Sequence, residues 1–214
     1  MRIVIASQRV DQYPARDERR DALDQAWASF LAYMGFVLVP IPNRVDDAAE
    51  LADVLNATAL ILTGGNSIPG IPNSAAAVPE RDSTERRLLE WSMREGRPVL
   101  AVCRGFQFVN MCLGGRLGNI HGHVGTMHEI QWHGNVHEGF RALRRVNSFH
   151  EAGIAPADLA SELLPMACAP DGSVEAARHR DFPILGLMWH PERPPECPPQ
   201  TVELLRQHLT GMSH

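Results

Sequence analysis

The fold of this chain is decided by the stretch Arg97–Gly105, with the sequence RPVLAVCRG. Its apolar run, 99–102, follows a proline and stops at Cys103, which is typical of a buried parallel strand that enters a sharp turn. Residues 106–112 contain no helix breaker, and the glycines at 114–115 are a helix stop. We therefore predict a strand, a turn and a helix, with Cys103 in the turn.

Cys103 stands where the predicted strand gives way to the predicted helix. In a nucleophile elbow, this position lifts a side chain above the sheet and close to the helix N-terminus. The positive end of that helix, with Arg104 beside it, would favour a thiolate. A buried cysteine that only fills space is an equally good interpretation, since free cysteines often behave as small core residues. The segment alone leaves both alternatives open.

The size and charge of the chain narrow the class of protein. Its 214 residues suit one domain, residues 1–214, with a sizeable core. The formal net charge of -5 comes from interspersed charges without a basic face, so we expect no nucleic-acid partner. The four cysteines are widely spaced, and no secretory leader or long apolar span is visible. We therefore expect a cytoplasmic protein with no membrane partner.

Strand and helix patterns alternate in the first half of the chain. Apolar, β-branched runs predict strands, and apolar residues at helical spacing predict helices. In chain order these are strand 2–7, helix 18–34, strand 36–41, helix 46–55, strand 59–63 and helix 83–95, with polar residues 8–17 as a loop. Such an alternation implies right-handed crossovers over a mostly parallel sheet. We predict an α/β three-layer sandwich in which helices flank this central sheet.

The pattern is less regular after Gly115. Residues 121–137 are rich in glycine and histidine and have no clear period, so we predict irregular structure there. The Asp171-Gly172 pair predicts a hairpin between two loosely alternating segments. The elements expected in this half are strands 144–149, 163–169, 173–177 and 184–188 and a closing helix, 201–209.

A histidine and a glutamate two residues apart could serve the cysteine. His190 and Glu192 flank Pro191, which biases the residue before it towards an extended conformation. Positions two apart in an extended chain face the same side, so both side chains can enter one site. This is the layout of a general base and the carboxylate that orients it. The alternative is a histidine that merely packs and an exposed glutamate.

The third strand ends at Thr63-Gly64-Gly65. Ligands of open α/β sheets bind outside the carboxyl ends of the strands, so this turn should face Cys103. Glycine allows the backbone to approach a substrate closely, and the N–H groups of Gly65 and Arg104 could form an oxyanion hole. A plain turn after a strand is the alternative.

Several motifs, taken together, resemble the class I glutamine amidotransferase superfamily, and most of all its gamma-glutamyl hydrolase branch, which includes gamma-glutamyl-gamma-aminobutyrate hydrolases. They occur in the family's order and cover most of the chain from about residue 60 onward. In chain order they are the segments 62–65, 81–85, 98–107, 113–117, 146–150, 171–176 and 189–192. The resemblance implies the flavodoxin-like α/β fold of these proteins, with a nucleophile elbow at Cys103.

The resemblance also assigns roles to residues. It implies a catalytic triad of Cys103, His190 and Glu192 and an oxyanion hole from Gly65 and Arg104. It further implies that several residues meet the glutamyl end of the substrate, namely Gly64, Gln107, Ser148, Phe149 and His150. The chain departs from the family's pattern at 66–70 and at 151–152, where the leaving amine would lie.

The implied activity is hydrolysis of a gamma-glutamyl amide, a small-molecule substrate, through a gamma-glutamyl thioester. Glutamate and an amine are released, and the chemistry requires no metal or organic cofactor. A close alternative is a glutaminase subunit that delivers ammonia to a separate synthetase, since both share the catalytic residues. A binding module without chemistry is a third alternative, and a homodimer is left open.

Five histidines lie between His121 and His137. Such a density suggests a metal site, and His128, His133 and His137 have spacings that a helix could almost align. The intervening glycines make a stable helix improbable, and metal ligands need defined geometry as well as number. We therefore expect ordinary polar histidines and no metal.

Arginines cluster in and after the first loop, which should overhang the same face of the sheet as Cys103. A solvated helix start is the usual explanation for such a cluster. Arginine forks also suit phosphate groups, so Arg9 and Arg16 are candidate contacts for a phosphorylated or nucleotide-linked leaving amine.

Overall fold

The structure, a computed structural model, describes residues 2–68, 78–194 and 197–211. Pro69 and Gly70, part of the segment where the chain departs from the family's pattern, lie outside the described residues. The strands of the described chain are β1 (Arg2–Ala6), β2 (Arg9–Tyr13), β3 (Glu18–Ala22), β4 (Phe36–Pro40), β5 (Ala59–Leu62), β6 (Val99–Val102), β7 (Gly118–Asn119), β8 (Val124–Glu129), β9 (Gln131–Trp132), β10 (Arg145–Phe149), β11 (Ala152–Gly153), β12 (Leu163–Cys168), β13 (Val174–His179) and β14 (Ile184–Leu187). The helices are α1 (Gln25–Tyr33), α2 (Ala48–Val54), α3 (Pro79–Glu95), α4 (Arg104–Cys112), α5 (Glu138–Arg141) and α6 (Pro199–Leu209).

One eight-stranded sheet organises these elements, in the order β4-β1-β5-β6-β14-β13-β12-β9. Its first five strands are paired in parallel, and β13, β12 and β9 extend it with antiparallel pairs. The carboxyl ends of β5, β6 and β14 therefore meet at one edge of the sheet. The predicted α/β fold with a mostly parallel sheet is confirmed.

Side chains alternate along each strand and so project from both faces of the sheet. Both faces are buried because helices pack against each of them. In β6, Leu100 and Val102 pack into one hydrophobic core, and Val99 and Ala101 pack into the other. The first core also contains apolar residues of α1 and α6, and the second contains apolar residues of α2, α3 and α4. The result is the three-layer sandwich that the alternating pattern predicts.

The region before α1 differs from the prediction. The expected loop 8–17 and the expected start of a helix at Glu18 form a β-hairpin of β2 and β3 instead, with Arg9 opposite Ala22 and Tyr13 opposite Glu18. The predicted helix is present only from Gln25. It begins there because the Asp24 carboxylate accepts the Ala26 N–H at 3.0 Å and caps α1. Upstream of this cap, Arg9 pairs with Asp11 and Arg20 pairs with Glu18 within the hairpin, and Arg19 pairs with Glu80 at the start of α3.

The histidine-rich region also differs from the prediction. It is not irregular, since it contains β8 and β9, and β8 pairs with β10 from further along the chain. Gly122 and Gly125 adopt positive φ, of 83° and 65°, and they interrupt the period-2 pattern that would otherwise indicate a strand. The other predicted elements occur with ends shifted by a few residues. Within the described residues, no helix combines the length and apolar character needed to cross a bilayer.

Candidate active site

Cys103 lies at the predicted elbow between β6 and α4. Its backbone has φ 52° and ψ -109°, an uncommon conformation for a residue with a side chain, of the kind that costs about 1–3 kcal/mol. The Cys103 N–H donates to Leu187 O at 2.7 Å, and Cys103 O accepts the Gln107 N–H at 3.0 Å. A Cβ on Gly105 would collide with the Leu62 carbonyl, so only glycine allows α4 to start this close to β5. The elbow is therefore held from both neighbouring strands.

His190 and Glu192 meet as the extended spacing predicts. Glu192 Oε1 lies 2.7 Å from His190 Nδ1, and both side chains are buried. The other ring nitrogen, Nε2, lies on the side of Cys103, since a Cβ built on Gly64 would be 3.3 Å from His190 Nε2 and 3.6 Å from Cys103 Cβ. Burial lowers the pKa of His190, but hydrogen bonds to Cys103 and Glu192 outweigh it and raise that pKa to about 9. The imidazole is therefore protonated at neutral pH.

The glycine turn after β5 lies close to the side chains of Cys103 and His190. A Cβ built on Gly64 would lie 2.6 Å from His190 Cε1 and 3.6 Å from Cys103 Cβ. Gly65 has φ 82°, a conformation that L side chains rarely adopt. Glycine at these two positions brings the turn into contact with the cysteine and the histidine.

Arg81, in the first turn of α3, holds this glycine turn from behind. Its guanidinium donates to Thr63 O at 2.7 Å, to Gly64 O at 3.1 Å and to Gly65 O. The carbonyl and N–H of a trans peptide point in opposite directions, so the Gly65 N–H points away from Arg81. Burial lowers the pKa of Arg81 to about 10, and Glu85, at 2.8 Å, opposes this effect. The sequence motif contained Arg81, but nothing in its spacing showed this contact.

The Arg104 side chain does not offer a free positive charge to Cys103, as the sequence suggested. It is buried and forms ion pairs with Glu85 and Asp82, so carboxylates neutralise the charge that was expected to favour a Cys103 thiolate. Its backbone remains relevant, because the N–H of the first residue of a helix has no acceptor within the helix.

Asn147, in β10, is a site residue that sequence reasoning missed. Its Oδ1 accepts the His190 N–H at 2.8 Å, and its Nδ2 donates to His190 O at 2.9 Å. The side chain is buried, so the paired hydrogen bonds fix the backbone that carries the imidazole. The signal in the sequence was an amide next to the expected Ser148–His150 segment.

The residues expected to meet a glutamyl group are distributed around this centre. Gln107 Nε2 donates to Ala152 O at 2.8 Å, and Ser148 Oγ donates to His123 O at 2.6 Å, so both side chains support neighbouring backbone. Phe149 is 43% exposed and its ring lies edge to face with His190, at 5.7 Å between centroids. The structure thus brings Gly64 and Phe149 to the imidazole.

His150 faces a different group of side chains. It is buried with His123, half-buried His128 and Glu175, and one ligand atom from each lies within 4.8 Å of the others. Burial, with the neighbouring His123, lowers the pKa of His150 to about 4. Burial also raises the pKa of Glu175 well above its usual range, and the charges of Asp171 and Cys103 add to this effect.

A cleft opens beside the imidazole and is lined with charge. Its wall includes Arg9, Gly64, Gly65, His190, Glu192 and Arg193, together with residues of the hairpin end and α1. A Cβ on Gly65 would lie 3.1 Å from Arg9 Cδ, so the Arg9 side chain rests on the glycine turn. Arg16 is exposed in the turn between β2 and β3 and is not part of the cleft wall. Arg193, which the sequence argument did not single out, directly follows Glu192.

The fold and the elbow, with its histidine and carboxylate, define a hydrolase of the glutamine amidotransferase type. More specifically, the chain belongs to the Peptidase C26 family, whose model matches residues 3–192. The resemblance inferred from the motifs is thereby confirmed.

Individual relatives agree with this assignment. The gamma-glutamyl-CDP-amidate hydrolase of Campylobacter jejuni is 28% identical over 182 residues, which are 82% of this chain and 82% of that protein. Anthranilate synthase component 2 of Methanothermobacter marburgensis is 35% identical over 105 residues, 45% of this chain and 50% of the relative. The structure of a glutamine amidotransferase from Thermotoga maritima superposes with a TM-score of 0.65 at 14% identity, covering 98% of this chain and 84% of that one. This last likeness shows the fold alone.

Proposed function

We propose that the protein hydrolyses a gamma-glutamyl amide through a gamma-glutamyl thioester on Cys103. The observation that carries the proposal is the convergence of Cys103, at a backbone elbow, with the hydrogen-bonded pair of His190 and Glu192 beside one glycine turn. The similarity to a gamma-glutamyl-CDP-amidate hydrolase supports the substrate class.

In the first half-reaction, Cys103 Sγ attacks the γ-carbonyl carbon of the substrate. The carbonyl oxygen becomes an oxyanion, which accepts hydrogen bonds from the N–H groups of Gly65 and Arg104. As the C–N bond breaks, protonated His190 donates from Nε2 to the leaving nitrogen. The amine departs and the thioester remains.

In the second half-reaction, water attacks the thioester carbonyl. His190, now neutral, takes a proton from this water, and the C–S bond breaks to release glutamate. Glu192 accepts the Nδ1–H throughout, which holds the imidazole in its working tautomer and stabilises the imidazolium.

The glutamyl end of the substrate is proposed to lie among Gly64, Gln107 and the Ser148–His150 segment. Phe149 offers an exposed ring beside His190. Gln107 and Ser148 hold the carbonyls of Ala152 and His123, so their proposed part is to fix the shape of this wall.

The leaving amine is proposed to carry a phosphate that Arg9 and Arg193 recognise. Both residues line the cleft beside the imidazole, and their side chains are 48% and 30% exposed. Asp11 lies 3.1 Å from Arg9, and Asp24 lies 3.0 Å from Arg193, so a phosphate would bind by sharing or replacing these carboxylate partners.

Glutamate release from a panel of gamma-glutamyl amides tests the reaction. We expect Cys103→Ala to abolish release and Cys112→Ala to retain it, because burial raises the pKa of Cys112 to about 11 and keeps it a thiol. A glutamine-analogue electrophile should label Cys103 in the wild-type protein. A fully active Cys103→Ala protein would refute the proposed mechanism.

The panel also tests the leaving group when it contains phosphorylated and neutral amines. Removing Arg9 should lower the preference in kcat/KM for the phosphorylated amine about 10-fold, since a hydrogen bond to a charged group contributes about 1.5–3 kcal/mol. Arg16→Ala, at the far end of the same hairpin, is the matched control and should keep the preference. An unchanged preference after Arg9→Ala would contradict phosphate recognition.

A glutaminase subunit that supplies ammonia to a synthetase is the second candidate. The similarity to anthranilate synthase component 2 favours it. Glutamine turnover by the isolated chain that exceeds its turnover of every other gamma-glutamyl amide would select this alternative.

A further inference from the structure

Four side chains from separate parts of the fold converge beside the elbow. His123 precedes β8, His128 belongs to β8, His150 follows β10, and Glu175 lies in β13. The proposed hydrolysis uses none of these four groups as acid, base or nucleophile. Their convergence therefore calls for its own explanation.

The distances within this His3Glu cluster are too long for hydrogen bonds. Glu175 Oε1 lies 3.5 Å from His123 Nδ1, 3.6 Å from His128 Nε2 and 3.8 Å from His150 Nε2. Zinc binds nitrogen and oxygen ligands at about 2.0–2.2 Å, which makes the edges of its coordination tetrahedron about 3.3–3.6 Å. Two of the three separations fall in this range, the third is slightly longer, and all four ligand atoms lie within 4.8 Å of one another, so small side-chain shifts would place them around one ion.

The outer nitrogen of every histidine in the cluster has a hydrogen-bond acceptor. His123 Nε2 lies 3.0 Å from Asp171 Oδ2, His128 Nδ1 lies 3.0 Å from Glu129 O, and His150 Nδ1 lies 3.0 Å from Ala152 O. Carboxylate and carbonyl oxygens only accept, so each outer nitrogen carries the proton. A neutral imidazole then presents a lone pair from its inner nitrogen, as metal-binding histidines do.

The inner atoms have no hydrogen-bond partner within the described residues. They are His123 Nδ1, His128 Nε2, His150 Nε2 and both carboxylate oxygens of Glu175. Glu175 has no exposed surface, and His123 and His150 are each only 5% exposed. Burying polar atoms without partners is costly, and converging lone pairs also repel one another. A bound cation would remove both penalties.

We propose that His123, His128, His150 and Glu175 bind one divalent transition-metal ion of the zinc type. Three imidazoles with one carboxylate suit zinc and its neighbours better than calcium or magnesium, which prefer oxygen ligands. The ion joins β8, β10 and β13 at the side of the elbow and fixes the segment that contains Ser148 and Phe149. It acts as a positioning ion, and the cysteine chemistry proceeds without it as a reactant.

Metal binding by the untagged, chelator-treated protein tests this proposal. Titration with Co²⁺ should give visible d–d bands that saturate at one ion per chain, and Zn²⁺ should displace it. Zn²⁺ at a hundredfold excess over Kd should raise the Tm of the wild-type protein by about 5–10 °C. Glu175→Gln and His150→Ala should lose at least about 100-fold in affinity.

Three further variants make the test specific. Asp171→Asn changes the partner of the outer nitrogen of His123 while its remaining oxygen can still accept from Ser173, and it should weaken binding about 10–100-fold. His133→Ala, an exposed histidine in the same region, should bind like the wild type. Cys103→Ser should also bind like the wild type, because the thiol is outside the proposed ligand set.

Two results would overturn the proposal. One is wild-type affinity for Co²⁺ and Zn²⁺ no higher than that of Glu175→Gln, which would mean that protons or a substrate ammonium group satisfy the cluster. The other is binding that is lost in Cys103→Ser and kept in His150→Ala and Asp171→Asn, which would place the ion on the catalytic thiol. If Glu175→Gln fails to fold by circular dichroism, Asp171→Asn is compared with His133→Ala instead: weaker binding only in Asp171→Asn supports the proposal, and equal binding by the two variants overturns it.

Discussion

Asn147 and His190 exchange two hydrogen bonds, since the asparagine amide accepts the His190 N–H at 2.8 Å and donates to the His190 carbonyl at 2.9 Å. The imidazole is thus fixed at both ends, by Asn147 through the backbone and by Glu192 through the ring. If His190 acts as the proposed acid and base, an imidazole held in this way needs little reorganisation during the reaction.

The Asn147→Ala change should lower kcat about 10-fold or more and leave KM less affected, because the backbone under His190 loses its anchor. The buried N–H of His190 would be left unpaired, and its carbonyl would keep only the Arg193 N–H at 3.2 Å, at a cost of about 1–3 kcal/mol in the free energy of unfolding. Steady-state kinetics and urea denaturation measure the two effects. Asn135→Ala, at an exposed position, serves as the control and should change neither quantity.

Glu192→Gln should move the alkaline limit of activity to lower pH. In the proposed mechanism the leaving amine takes a proton from the His190 imidazolium, which is present below a pKa of about 9 and is lost above it. Without the glutamate charge this pKa falls towards the usual value of 6.5, and the rate should also fall at least about 10²-fold. A kcat–pH profile measures the shift. An alkaline limb at the same pH in both proteins would contradict the assigned role of Glu192.

Gly64→Ala should reduce activity with little effect on folding. The new Cβ would lie 2.6 Å from His190 Cε1, so the imidazole must move away from Cys103. A displacement of this size can lower the rate about 10²-fold. Gly118→Ala is a matched control, because its Cβ would have no atom within 4 Å. Comparison of kcat and Tm for the two variants separates displacement of the imidazole from a general glycine effect.

Arg81→Met should destabilise the protein by about 3–5 kcal/mol, because it leaves buried Glu85 with fewer partners and the turn carbonyls without a donor. Urea denaturation gives this value. Arg94→Ala, an exposed position on the same helix, should cost less than about 1 kcal/mol. Equal effects of the two changes would show that the buried network contributes no more than a surface ion pair.

The elements contiguous in sequence were predictable, because local chemistry determines them. The apolar run before Cys103, the breaker-free helix after it and the extended spacing of His190 and Glu192 each indicated what the structure contains. Helical spacing did not show that Asp24 caps α1, so the predicted helix was extended back to Glu18. The hairpin of β2 and β3 was missed for this reason.

Contacts between distant residues could not be predicted in the same way. Arg81 belonged to a recognised motif, yet its hydrogen bonds to the glycine turn arise only when α3 packs beside β5. The histidines grouped by sequence were those with helical spacing, whereas the structure groups His123 and His128 with His150 and Glu175 through the pairing of β8 with β10. Strand pairing between remote segments is not encoded in any single window of sequence.

The hairpin of β2 and β3 is hydrogen-bonded to the glycine turn after β5 through Asn66. The Asn66 side chain accepts the Val10 N–H at 2.7 Å and donates to Val10 O at 3.0 Å, which sets Arg9 against Gly65. The hairpin forms its own two-stranded sheet, outside the eight-stranded one. Under the proposed function, a library confined to this hairpin would therefore alter the Arg9 side of the leaving-amine site, while Arg193 and the groups proposed to break the bond, Cys103, His190 and Glu192, stay untouched.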